Sequence, residues 1–397
     1  MGSASGMIGR WAVATSLAVA ASVALARADI TTERSASILI FPKVIFDSSG
    51  QQTGKLVNGT LQKGTPVDTI IQISNTSNSM VFAHCFYVNA APLDPTRPVG
   101  PSNPARWQEV DFDIFLTKQQ PTHWTVSKGR RDDPTDNRTC SMDCSTAGFD
   151  PGRVPPVGDD PFTGELKCIE VDQSGAPING NHLKGEATLV TLDGRAEASK
   201  YNAIGVLGLN TDLNSNNSDN TLCLGGGVSA ACPTGAEYNA CPETVILNHF
   251  AENATDPVVE ALGNGNNQSS VSTELTLVPC SQDFENQIPP SVVVQFRITN
   301  EFELPFSTST TVTCWGNFRL NTIGSVGRIL EIGTLGTRFA QTRMFPAGIE
   351  QPGFVGVAEE FHSQPTSGQP ITSRAALNLH GEGALPRSDI ILLPGAF

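Results

Sequence analysis

The stretch Asp68–Asn89, DTIIQISNTSNSMVFAHCFYVN, decides the fold class. Side chains alternate along a strand, so Thr69, Ile71 and Ile73 share one face while Ile70, Gln72 and Ser74 take the other. Asn75–Ser79 is turn chemistry, because asparagine tolerates left-handed backbone angles and Ser/Thr hydroxyls bond back to their own main chain. Met80–Val88 is apolar on both faces, interrupted only by His84, which predicts a central strand covered on both sides. The stretch therefore reads as a β-hairpin.

The same plan returns in Ser291–Leu320, SVVVQFRITNEFELPFSTSTTVTCWGNFRL, where VQFRITN (294–300) matches IQISN (71–75) and Cys314-Trp315 answers Cys85-Phe86. Between and around these runs lie other strand-like segments: Ser37–Phe46 with Pro42 at an edge or bulge, Trp107–Thr117, Leu166–Val171, Gly185–Leu192 and Lys200–Leu209. After Val271 the series tightens, with strand-like runs at 273–280, 327–335, 337–345, 353–361, 375–379 and 389–393. No long 3.6-residue periodicity is present, and 37 glycines and 27 prolines punctuate the runs, as turns between short strands require. The expectation is an all-β chain built as two β-sandwich, immunoglobulin-like domains with long disulfide-pinned loops. An N-terminal domain over 29–209, with an excursion at 128–162, is joined through a loop-rich, cysteine-containing connection (210–270) to a C-terminal domain over 271–397. Pairing of the middle segments with both ends, giving one large domain, is the alternative.

The first residues read as an export signal. Arg10 precedes the apolar run Trp11–Leu25, which is short for a membrane span, and Ala26-Arg27-Ala28 places small residues where a signal peptidase cuts, before Asp29. Removing residues 1–28 takes away Arg10 and Arg27 and moves the formal charge from −14 to −16. So acidic a chain lacks the basic patches that nucleic acid or an anionic lipid surface requires. All nine cysteines, Cys85, Cys140, Cys144, Cys168, Cys223, Cys232, Cys241, Cys280 and Cys314, lie beyond the signal and read as disulfide candidates of an oxidising compartment, with one left over. The clustering of Cys140, Cys144 and Cys168, and of Cys223, Cys232 and Cys241, suggests local staples.

Catalytic motifs are missing: there is no Gly-x-Ser-x-Gly, no His-Glu-x-x-His and no phosphate-binding glycine loop. Asp212, Asn214 and Asn216 alternate as calcium-loop ligands do, but Asn217 stands where that loop needs glycine and Cys223 where it needs a bidentate Glu. His84 and Cys85 are strand neighbours and point apart, while His249 and Glu252 have helical spacing at the end of a strand-like run, so neither pair makes a metal site. No cofactor is expected. Asp111 and Asp113 share a strand face and are the carboxylates to consider for glycan hydrolysis, although a solvated outer face opposite Val110, Phe112, Ile114 and Leu116 is the favoured account of them. Trp107 and Trp124 border loops and are the candidates for stacking on a sugar ring.

These observations favour an exported, non-enzymatic protein of the cell surface or extracellular space, with a structural, adhesive or interaction role. Its partners would be other surface or extracellular proteins, copies of itself, or glycans. The alternative is a secreted glycan-binding module or glycan hydrolase.

Overall fold

In the computed structural model of the chain, residues 30–51, 55–57, 60–94, 103–131, 150–195, 197–209, 220–260, 269–324, 328–364 and 371–395 are described. The expected signal segment, 1–28, lies outside them. In chain order the first strands are β1 (Ile38–Phe46), β2 (Lys55–Val57), β3 (Thr60–Gln62), β4 (Val67–Asn75), β5 (Val81–Asn89), β6 (Gln108–Leu116), β7 (Pro121–Thr125), β8 (Phe162–Val171), β9 (Leu183–Thr191), β10 (Ala198–Asn202), β11 (Ile204–Val206) and β12 (Thr221–Leu224). They continue with β13 (Thr244–Phe250), β14 (Ser270–Pro279), β15 (Gln282–Asp283), β16 (Ser291–Asn300), β17 (Pro305–Thr313), β18 (Gly316–Arg319), β19 (Phe339–Pro346), β20 (Phe354–Gln364), β21 (Ile371–Asn378), β22 (His380–Glu382) and β23 (Asp389–Leu392). Strand makes up 54% and helix 4%, so the chain is all-β. No described helix is long and apolar enough to cross a membrane.

Apart from the β2–β3 ribbon, the strands form five sheets: I (β11-β1-β8-β5-β6), II (β10-β9-β4-β7), III (β12-β23-β15), IV (β17-β16-β19-β13-β22) and V (β18-β14-β20-β21). One core fills the space between I and II, with Phe41, Cys85 and Leu166 facing Ile71, Ile73 and Leu189. The other face of sheet I is also covered: Ile38, Phe86 and Ile169 pack on Leu222, Phe284 and Ile391. A third core lies between IV and V. Sheet V is shared as well, since Val357 belongs to the first core and its neighbour Ala358, on the opposite face, to the third.

The five sheets thus follow one another in a propeller-like succession, and the expected pair of immunoglobulin-like sandwiches is not what they display. An immunoglobulin disulfide joins two sheets. Here Cys85 and Cys168 are directly opposed partners on β5 and β8 within sheet I.

Three local expectations are corrected. Asp68–Asn89 is not a hairpin, because β4 lies in sheet II and β5 in sheet I, so the Asn75–Ser79 turn carries the chain across the core. The alternation was read correctly: Ile71 and Ile73 are buried, and β5 sits between β8 and β6. In the second copy β16 and β17 do pair, from Ser291↔Thr313 to Thr299↔Pro305. What the two copies share is the residue ending the first strand. Asn75 Oδ1 accepts from Ser77 N at 2.7 Å, and Asn300 Oδ1 accepts from Phe302 N and Leu304 N, both at 2.9 Å.

Of the run 327–335, residues 328–335 are described and fold as a turn and a short helix, α1 (Ile332–Leu335), closed by Gly336 in the left-handed conformation. Among its described residues only Leu330 and Leu335 are buried, which a turn achieves as well as a strand. The run 311–320 is broken where Cys314 takes φ 59°, a conformation that ends β17 and lets β18 start in another sheet.

Candidate functional site

Among the described residues, six of the disulfide candidates are bonded: Cys85–Cys168, Cys223–Cys232 and Cys241–Cys280. Cys223–Cys232 is a local staple, but Cys168 reaches back 83 residues and Cys241 forward 39, so grouping by sequence proximity misassigned both. Strand register brings Cys168 opposite Cys85. Cys314 is a buried free thiol, and burial pushes its pKa up to about 12. Cys140 and Cys144, and the calcium candidates Asp212, Asn214 and Asn216, lie outside the described residues.

Trp107 and Trp124 are 8% and 2% exposed, so neither offers a free ring face for a sugar. The Trp124 indole donates to Tyr87 Oη at 2.5 Å and meets Phe112 edge-on in the first core. Asp111 and Asp113 do share the outer face of β6. His84, on the neighbouring β5, lies between them, with Nδ1 2.7 Å from Asp113 Oδ1 and Nε2 3.4 Å from Asp111 Oδ2. Glu109, two residues earlier on that face, is held up at about 7 by burial. His249 is buried between the Phe250 carbonyl and the Thr342 hydroxyl, and burial lowers its pKa. Glu252 instead accepts from Thr273 N at 2.5 Å, so the two share no ligand geometry.

The densest charge chemistry sits where sequence reading saw only a proline. Pro42 and Lys43 form a β-bulge in β1, at the register shift between Phe41 and Val44. The backbone groups that the bulge frees from the ladder are taken by side chains. Tyr201 Oη accepts from Lys43 N at 3.1 Å and donates to Lys43 O at 2.7 Å, and Trp315 Nε1 donates to Pro42 O at 2.6 Å. So held, the Lys43 ammonium lies 2.9 Å from Glu274 of β14 and 2.9 Å from Glu359 of β20. Glu359 also accepts from Ser199 Oγ at 2.5 Å and from Arg374 Nε at 2.6 Å, and Arg319 stands 3.6 Å from Glu274.

This network borders a cleft of about 300 Å³ that Lys63, Arg195 and Glu197 also line. Burial alone would lower the Lys43 pKa, but the two carboxylates outweigh it and hold it above its ordinary value. Burial likewise opposes ionisation of Glu274, and Lys43 with Arg319 overcomes it, holding that carboxyl at about 2. Lys43 and Ser199 come from one half of the chain and Glu274, Glu359 and Arg374 from the other. The chemistry is that of a polar clasp between sheets.

At the opposite extreme of exposure is the β16–β17 turn. Phe302 is 71% and Leu304 54% exposed there, and β17, PFSTSTTVT, carries no charge and, among the described residues, pairs on one side only, with β16.

No family model and no curated protein matches the chain. Among solved structures it is compared with the naturally empty particles of cowpea mosaic virus, at 9% identity over 96% of this chain and all of that one, with a TM-score of 0.16. The broad bean stain virus structure gives 9% identity over the same shares and a TM-score of 0.15. Scores so low carry no argument.

One pH dependence follows from the buried acids. Burial raises Glu252 to about 7 from an ordinary 4.5, so its folded form binds a proton more tightly than its unfolded form. The corresponding stability is present below the unfolded value and is lost as pH rises through about 7. Glu252→Gln is expected to leave stability near pH ~4 unchanged and to raise it near pH ~8 by about 1–3 kcal/mol, measured by urea unfolding at the two pH values. A pH-independent effect would place the cause elsewhere.

Proposed function

We propose that the protein is an exported, non-enzymatic β scaffold of the cell surface or extracellular space that meets other proteins, copies of itself among them, through the β16–β17 hairpin. The observation that carries this reading is the combination of an uncharged edge strand with an apolar tip. An edge strand presents unpaired N–H and C=O groups, and proteins that stay solitary usually blunt such edges with charge or proline. Pro305 stands only at the first position of β17, and the eight residues after it hold none of these devices. Phe302 and Leu304 add apolar surface beside the edge.

The disulfides suit an oxidising compartment, in line with the export signal read at the N-terminus. In the glycan-directed alternative Asp111 and Asp113 would work as a free pair, whereas His84 lies against both of them.

The test is association of the mature chain, followed by sedimentation across a wide concentration range. Phe302→Ser with Leu304→Ser is expected to weaken association by about tenfold or more, and Thr311→Lys on the exposed side of β17 to do the same. Both changes should leave the unfolding midpoint in place, since the residues are exposed. A wild-type chain that stays monomeric throughout, or variants that associate as wild type does, would overturn this role for the hairpin.

A further inference from the structure

Strand β8 carries two ionisable residues on the face it turns toward sheet III. Glu165 and Lys167 alternate with Leu166 and Cys168, so they share a side with Ile169 and Val171 and enter the second core. Both side chains are fully buried. Gln282 of β15 is brought against them from the other half of the chain. Lys167 Nζ lies against Gln282 Oε1, and Gln282 Nε2 lies against Glu165 Oε1. Lys167 Nζ stands over the ring of Phe284, 5.5 Å from its centroid, and that ring stacks on Phe86 at 4.5 Å. Glu165 Oε2 is 4.0 Å from Lys167 Nζ and, among the described residues, has no hydrogen-bond partner. An amine, a carboxamide and a carboxyl thus meet in a buried cluster beside two stacked phenylalanine rings.

We propose that this cluster is a self-modification site, at which Lys167 and Gln282 condense to an intramolecular isopeptide bond with Glu165 as the proton carrier. Nζ attacks Cδ of Gln282, the Nζ–Cδ bond forms, and the Cδ–Nε2 bond breaks. One Nζ hydrogen passes to Glu165 Oε2, and Glu165 returns a proton to Nε2, which leaves as ammonia. One amine and one primary amide become one secondary amide and one ammonia, with no oxidant, reductant or metal required.

Three features of the site serve this step. Attack needs an unprotonated amine, and burial pushes the Lys167 pKa down. Proton delivery needs a protonated acid, and burial pushes Glu165 up. Reactants held in contact by a folded core react as though at very high concentration, an advantage of about 10⁵ M or more in effective molarity. The product would join strands 115 residues apart, tying sheet I to sheet III without a disulfide. It stands independently of the hairpin reading.

Intact-mass spectrometry of the purified full chain decides the matter. The expected mass is below that of the sequence, after the disulfide hydrogens and any signal removal, by one ammonia. A peptide linked through Lys167 and Gln282 should appear after digestion. Lys167→Arg and Glu165→Gln should restore the missing mass, while Gln282→Glu should give the same link with loss of water instead. Cys314→Ser should keep the deficit. If a variant does not fold, the linked peptide in the wild-type chain still answers. A wild-type mass with no ammonia missing, a deficit that survives Lys167→Arg, or one that follows Cys314 would each overturn the proposal.

Discussion

Lys43→Met is expected to cost the protein about 3–5 kcal/mol of stability in denaturant unfolding at neutral pH. Two carboxylates approach the ammonium at 2.9 Å, in a site where the lysine side chain is 1% exposed. A buried ion pair contributes little net stability compared with a well-packed apolar group, but removing one partner strands the other. Arg374 remains to hold Glu359, whereas Glu274 keeps Arg319, at 3.6 Å and with the arginine side chain 39% exposed, and a neutral hydrogen bond from Asn317 Nδ2 at 3.2 Å. Glu274 should therefore carry most of the loss, and adding Glu274→Gln to Lys43→Met should recover part of it. A pH signature accompanies the cost. With its carboxyl depressed to about 2, Glu274 contributes stability that is present above its unfolded value and is lost only as pH falls toward about 2. Without Lys43 the folded Glu274 carboxyl titrates higher, so less stability is lost on acidification and the cost of Lys43→Met should shrink as pH falls toward about 2. A cost below about 1 kcal/mol, with no change in acid sensitivity, would mean that water entering the cleft replaces the lysine at little expense.

The contrast between Lys43 and β5 shows what the sequence could carry. Alternation is a local property, so the burial of Ile71 and Ile73 and the central place of β5 were legible in Asp68–Asn89. The turn between them reads the same whether the strands it joins pair or face each other across a core, and for that reason an arch was taken for a hairpin. Pro42 marked an edge or a bulge, and the structure has the bulge. What it aims, a lysine into acids 231 and 316 residues away along the chain, depends on how whole sheets stack, and no local pattern encodes that. The same limit applies to Gln282, an unremarkable residue in a two-residue strand until Lys167 and Glu165 are placed against it. Cysteine chemistry was visible but pairing was not, because opposition of Cys85 and Cys168 is a matter of register between β5 and β8.

Replacing Cys85 and Cys168 together by alanine is expected to lower stability by about 2–5 kcal/mol, and by more than the same change at Cys223 and Cys232. The two bridges differ chiefly in the chain they close, 83 residues against nine. The chain-entropy account of a cross-link makes the longer loop worth about 2 kcal/mol more, because its closure removes more freedom from the unfolded ensemble. Location adds to this difference. Cys85 and Cys168 lie in the first core, so the double alanine also leaves a small void beside Ile71 and Leu166. The two contributions separate experimentally. Freed of the long loop, the unfolded chain is less compact and exposes more surface, so the denaturant m-value should rise, whereas a packing defect alone leaves it unchanged. A larger cost with a constant m-value would assign the effect to packing in sheet I. Equal costs for the two pairs would show that loop length does not govern the contribution of either bridge. A raised m-value alongside the larger cost ties the stability of the β5–β8 pair to the state the protein leaves when it folds.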